Sequence, residues 1–310
     1  MKTHLELIVI KLFDLHCDTL TECFDKKTDL NDCSLAVNSV AVKKIKNYVQ
    51  NFAIFISEKD ANPTLRYREV MGYGKRILAR SGFNICTTSN DLYSAVKSAK
   101  PAAILSLEGG SAINSLEFLD ELYDDGVRII SLAWNHNNHL AGGALESGGL
   151  TDFGRRVIAR MNELGLVFDL SHLNRKSFFE AVDLAERVIA THSGLFDLVP
   201  HKRNLDREQL NLIKEKNGLL GLCFYPEFLG KPVFDSFKTS VLRLLNDGFE
   251  DIMAIGSDFD GALMDRTLSS LGDVPILYDY LYLKNIPNVS LCKMFFDNSY
   301  NFFTRVLTNT

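Results

Sequence analysis

Several features that mark whole classes of protein are missing from this chain. It has no lysine- and arginine-rich run and its formal net charge is -5, so the basic face of a nucleic-acid binder is absent. No apolar stretch approaches the roughly 20 residues that span a bilayer as a helix. The six cysteines, Cys17, Cys23, Cys33, Cys86, Cys223 and Cys292, lack the paired spacing of a zinc knuckle and the density of a secreted disulfide scaffold, which fits a reducing compartment. Near the N-terminus, Leu5 and Leu7 to Ile10 are apolar, but Glu6 and Lys11 interrupt or bound them too soon for a signal-peptide core. A cytoplasmic protein with no membrane attachment and no nucleic-acid partner is expected. Tryptophan occurs once, at Trp134.

What is present is an ordinary globular composition, 46% hydrophobic and 24% charged over 310 residues, enough for one large core. Short apolar runs alternate with segments of helical periodicity, the pattern of βαβ units around a parallel sheet. Strands are expected at Leu12–His16, Phe52–Ile56, Ala102–Leu107, Val127–Leu132, Leu166–Leu170, Val188–Thr191, Leu219–Phe224 and Ile252–Ser257. Helical patterns cover Thr64–Arg80, Ser111–Asp124, Thr151–Leu164, Lys176–Ala185, Asp206–Lys216 and Asp235–Asp247, with a helical tail from Asn298 to Leu307. Eight such strands suit a (β/α)8 barrel spanning residues 1–310 as a single catalytic domain. An open doubly wound sheet fits less well, because no G-x-G-x-x-G loop follows the first strand. The Asn- and Gly-rich stretch 135–149 reads as a functional loop after the fourth strand.

Catalytic groups of a barrel sit at the C-terminal ends of its strands, and here those ends are polar in a consistent way. The first run ends Asp14-Leu15-His16-Cys17-Asp18, the third Leu107-Glu108-Gly109-Gly110, the fifth Asp169-Leu170-Ser171-His172, the sixth Thr191-His192-Ser193, and the eighth Gly256-Ser257-Asp258-Phe259-Asp260. Period two along a strand puts His16 and Asp18 on one face and Cys17 on the other. Imidazole and carboxylate are the ligands zinc takes at catalytic sites. His16, Asp18, Glu108, His172 and His192 are too many for one open zinc site, but two zinc ions sharing a bridging carboxylate use all five, with Glu108 as the bridge. Any one of these histidines alone reads best as a hydrogen-bonded structural group; the ordered set, out of seven histidines in the chain, does not. His4 and His201 fall outside the set and are read as structural.

The same residues, together with Arg203-Asn204 and Asp258-Phe259-Asp260-Gly261, resemble the membrane (renal) dipeptidases, metallopeptidases with an amidohydrolase-like barrel. The resemblance spans most of the chain and implies the same metal assignment: His16 and Asp18 on one zinc, His172 and His192 on the other, Glu108 across both. It further implies an acid/base role for Asp258, binding of a dipeptide's carboxylate by Arg203, tolerance of a D-residue at the C-terminal position, and a homodimer, with no interface located. One departure stands out. Where the better-known members carry a substrate-facing histidine in a Leu-Thr-His context, this chain reads Leu132-Ala133-Trp134-Asn135-His136, so either His136 swings in to polarise the scissile carbonyl or the metals do so. Tyr225, just past the seventh strand, is a candidate pocket residue. The lipid anchor and secretion of the animal enzymes are not expected to transfer. The rival readings are another amidohydrolase-type reaction, on N-acyl amino acids or lactams at the same metal pair, and a barrel that binds without catalysing.

Overall fold

The computed structural model describes residues 10–307; His4 and the apolar N-terminal run through Val9 lie outside them. Nine strands follow in chain order: β1 Lys11–Cys17, β2 Asn47–Phe55, β3 Asn84–Ile85, β4 Ala102–Glu108, β5 Val127–Ile130, β6 Val167–Asp169, β7 Val188–Ser193, β8 Leu219–Leu222 and β9 Met253–Ile255. Every pairing is parallel, and the sheet closes through β2 on β4 and β1 on β9. Strand β3 pairs only with the start of β4, at Ala102 and Ala103, leaving eight strands in the barrel wall. Helices lie between successive strands, and a further helical segment follows β9. The architecture is the (β/α)8 barrel expected from the alternation of elements.

Period-two alternation sorts the barrel's apolar residues into two layers. Phe13, Val49, Ile104, Ile129, Val167, Ile189, Leu219 and Ala254, one from each wall strand, form an inner cluster with Phe296, Phe302 and Phe303 of the C-terminal segment. Leu12, Phe52, Leu105, Ile130, Phe168, Ala190, Leu220 and Ile255 belong to the outer layer with the helices. The terminal helix Asn298–Val306 therefore closes the barrel end opposite the strand C-termini. Phe303 stacks on Phe13, ring centroids 5.1 Å apart.

The differences from the sequence-based expectation have local causes. Strand β2 begins at Asn47 rather than Phe52, because its polar residues are buried and bonded: Asn47 Nδ2 donates to Val96 O, and Asn51 Nδ2 to Leu15 O at 2.7 Å. Ser111–Asp124 is not one helix; a 3-10 turn over Gly110–Ala112 precedes a helix confined to Glu117–Asp124. The helix Val274–Leu283, not expected at all, is apolar at nearly every position, which leaves no 3.6-residue period to read. Stretch 135–149 contains no helix or strand, as expected of a loop.

Phe303 is fully buried. Phe303→Ala is expected to destabilise the fold by about 3–5 kcal/mol, measured by denaturant unfolding.

Candidate metal centre

The ends of β1 and β9 are laced together. Asp258 N–H donates to His16 O and Asp18 N–H to Phe259 O, while Ser257 donates its N–H at 2.8 Å and its hydroxyl to Asp14. This brings Asp258 beside His16 and Asp18. Glu108 is the last residue of β4 and His192 lies in β7, whereas His172 and Arg203 stand in the loops after β6 and β7. All seven side chains converge on one spot, and none of these residues is more than 8% exposed. His172, Asp258 and Asp260 hold positive φ, 68°, 63° and 64°, a conformation that costs non-glycine residues energy and that concentrates at functional sites.

Glu108 lies at the middle. Its Oε2 is 3.4 Å from His16 Nε2, and its Oε1 is 2.8 Å from His172 Nε2 and 3.6 Å from His192 Nε2. His16 Nε2 is also 3.4 Å from Asp18 Oδ2 and 4.0 Å from Asp258 Oδ1. Donor atoms of Glu108, His172 and His192 lie within 4.8 Å of one another, as do those of His16, Asp18 and Asp258.

The ring nitrogens facing away from the centre are all engaged. Thr191 Oγ1 lies 2.6 Å from Asp169 Oδ2, 2.9 Å from His192 Nδ1 and 3.2 Å from His16 Nδ1. A carboxylate only accepts, so the hydroxyl proton goes to Asp169 and both imidazoles must donate from Nδ1. His172 Nδ1 donates in the same way to Asn135 Oδ1 at 3.1 Å. His16, His172 and His192 are thereby held with an Nδ1–H facing outward and Nε2 turned toward Glu108, where Arg203 Nη2 also donates to His192 Nε2 at 2.9 Å. The Nε2 atoms of His172 and His192 are 2.8 Å apart, a contact of two acceptors that repel unless a cation lies between them. His16 Nε2 and Asp18 Oδ1 are buried without a hydrogen bond among the described residues. The donor set, its tautomers and its unpaired atoms fit divalent metal.

The electrostatics agree. Burial, then the charge of Arg203, lowers His172 to about 3, and burial with the charges of His16 and Arg203 takes His192 well below its ordinary value. Burial opposes the charge of Glu108, yet His16 and His172 hold it well below the usual carboxylate range. Burial likewise opposes a charge on His16, but Glu108 and Asp18 raise it well above its ordinary value. Burial, then Glu108, pushes Asp18 up to about 8, and burial takes Asp258 up to about 7. Without a cation, these acids compete for protons that a metal would replace.

A cavity of about 840 Å³ opens over the centre, and Asp18, Glu108, His172, His192, Arg203, Asp258 and Tyr225 line it. His136 does not. It is half-exposed, with Nδ1 2.8 Å from Glu146 Oε1, so the structure does not bring it to the centre. Trp134 occupies that stretch of wall, between Phe55 and His172 at centroid distances of 5.0 and 6.0 Å. His201, read from sequence as structural, lines the cavity as well as accepting Arg203 N–H at 3.1 Å. Cys17 packs into the outer core with Leu12. Sequence reasoning assigned no role to Thr191, Asn135 or Gly261. The first two are polar neighbours of the histidines, but no spacing rule identifies them. At Gly261 an added Cβ would lie 2.1 Å from Asp18 Oδ2, so only glycine lets the loop pass this close.

Residues 5–309 match the membrane dipeptidase family, peptidase family M19. The chain is 30% identical over 254 residues to an uncharacterized protein in the pqqA 5' region of Klebsiella pneumoniae, covering 76% of this chain and 92% of that one. It is 29% identical over 240 residues to an uncharacterized dipeptidase of Schizosaccharomyces pombe, covering 69% of this chain but only 58% of that protein. A crystal structure of a metallopeptidase from Rhodobacter sphaeroides, liganded with a phosphinate mimic of the dipeptide L-Ala-D-Ala, superposes with a TM-score of 0.87 at 24% identity, over 96% of this chain and 99% of that one.

Removing the Thr191 hydroxyl leaves buried Asp169 and two imidazole N–H groups without their partner. Thr191→Val is expected to destabilise the metal-free protein by about 1–3 kcal/mol in urea unfolding with a chelator present, and Thr191→Ser to restore most of the loss.

Proposed function

The chain belongs to the membrane dipeptidase family, and from that premise we propose that it hydrolyses dipeptides using two divalent metal ions, zinc by ligand type. The observation that carries this reading is the convergence of three imidazole Nε2 atoms on the two oxygens of one buried carboxylate. His16 and Asp18 would hold one ion, His172 and His192 the other, and Glu108 both. Bound there, the ions supply Lewis-acid activation of a water and polarisation of the scissile carbonyl; the same ligands would also take cobalt or manganese.

The chain's own residues do the rest. Asp258, held beside His16 by the β1–β9 lacing, takes the proton from the attacking water and returns it to the departing amine. Arg203 binds the substrate's terminal carboxylate. Its Nε is buried without a partner among the described residues, and its guanidinium lies in the cavity wall with Nη2 2.9 Å from His192 Nε2, so the fork is fixed next to the metal centre. A grip on the carboxylate does not by itself discriminate handedness, and we include dipeptides with a C-terminal D-residue. Tyr225 and Trp134 line the space around the substrate. Turned toward Glu146, His136 has no part in this mechanism.

The test is turnover by the zinc-loaded protein on L-L and L-D dipeptides beside their N-acetylated forms. Free dipeptides are expected to be cleaved, with activity abolished by a chelator and restored by zinc; cleavage of the acylated compounds alone would overturn the dipeptidase reading. Asp258→Asn is expected to lower kcat by about 10²–10⁴ with metal content unchanged, whereas Glu108→Gln loses metal as well, read by elemental analysis. Arg203→Lys replaces a planar fork by a point charge, and a rise in KM of about tenfold or more is expected.

A further inference from the structure

The carboxylates around the cavity are not equivalent. Asp18, Glu108 and Asp258 belong to the metal centre. Of the others on the wall, Glu22 pairs with Lys26 at 2.7 Å and Asp25 with Arg66 at 2.6 Å, while Asp260 accepts from the Thr19 hydroxyl at 2.6 Å and from Ala36 N–H at 2.8 Å. Glu227 also lines the cavity and is exposed to it, yet among the described residues its side chain makes no hydrogen bond or ion pair. An uncompensated carboxylate in a concave, partly apolar wall is a standing attraction for a cation.

Its surroundings indicate which part of a substrate it meets. Glu227 stands on the short helix Pro226–Leu229, next to Phe228, whose ring contacts those of His201 and Tyr225 at centroid distances of 4.7 and 5.0 Å. The Arg203 guanidinium lies 5.3 Å from the centroid of the same Phe228 ring. A dipeptide anchored by its carboxylate on Arg203 therefore has its C-terminal side chain beside this aromatic surface, with Glu227 adjoining. An aliphatic stem covers the rings while a terminal ammonium reaches the carboxylate, the division of labour that lysine side chains commonly show.

We propose that Glu227 is a specificity-determining residue that selects dipeptides whose C-terminal residue carries a cationic side chain such as lysine. The inference rests on the dipeptidase reading and on Arg203 holding the carboxylate. Because Glu227 is exposed, the attraction is of surface strength and screened by salt.

The experiment compares kcat/KM for Ala-Lys, Ala-norleucine and Ala-Glu, since norleucine is lysine without its ammonium. The metal-loaded protein at low ionic strength is expected to prefer Ala-Lys over Ala-norleucine by about two- to fivefold and to cleave Ala-Glu least, with the preference shrinking as salt is added. In Glu227→Gln the Lys-to-norleucine ratio should fall toward one, and in Glu227→Lys the order should invert in favour of Ala-Glu. Cleavage of Ala-norleucine with the same ratio in wild type and both variants overturns the role of Glu227 alone. Cleavage of none of the three dipeptides by the metal-loaded wild type overturns the dipeptidase reading and this inference with it.

Discussion

A single hydroxyl decides how the centre of this molecule presents itself. Thr191 has one proton and gives it to Asp169, so the imidazoles of His16 and His192 can only donate to it. Their Nε2 atoms are turned inward, crowded with that of His172 around Glu108. Such an arrangement is unfavourable by itself: two acceptors lie 2.8 Å apart, and buried atoms of His16 and Asp18 lack partners among the described residues. Surrounding structure must hold it in place, and a cation is what would relieve it.

The barrel supplies that rigidity. Its strand ends are tied to one another rather than left to loops, as where Asp14 receives Ser257 and the chain after β9 bonds back to the end of β1. The opposite end is closed by the terminal helix and its phenylalanines. One end of the barrel is thus packed with apolar side chains while the other concentrates charge, and the strain of positive φ at His172, Asp258 and Asp260 falls at the charged end. Above the centre the wall is asymmetric. Arg203, Glu227 and the rings of Tyr225 and Phe228 lie on the β7–β8 side, and Phe55 and Trp134 on the β2–β5 side.

How much of this could be read in the chain depends on whether a feature is local or assembled. The eight wall strands show as apolar runs, and their polar ends name His16, Asp18, Glu108, His172, His192 and Asp258 in order, because strand periodicity and the rule that barrels act at strand C-termini are both local. The Asp-Phe-Asp-Gly motif likewise marks Gly261 in sequence, although its need for glycine, the approach of Asp18 to 2.1 Å of a would-be Cβ, appears only in space. Illegible elements had specific causes. Asn47 and Asn51 look like loop residues but are strand residues whose amides are satisfied by distant carbonyls, and the helix Val274–Leu283 is too uniformly apolar to show a period.

What the sequence by itself determined, then, was the barrel, the set of candidate donor residues and the family resemblance they carry, since each rests on residue type and spacing along the chain. Only the tertiary structure decided which nitrogen each histidine offers, that Arg203 lies against His192 while His136 turns away to Glu146, and that Glu227 on the cavity wall is left uncompensated among the described residues. Those outcomes depend on hydrogen bonds and charges between residues far apart in the chain, and no pattern along the chain encodes them.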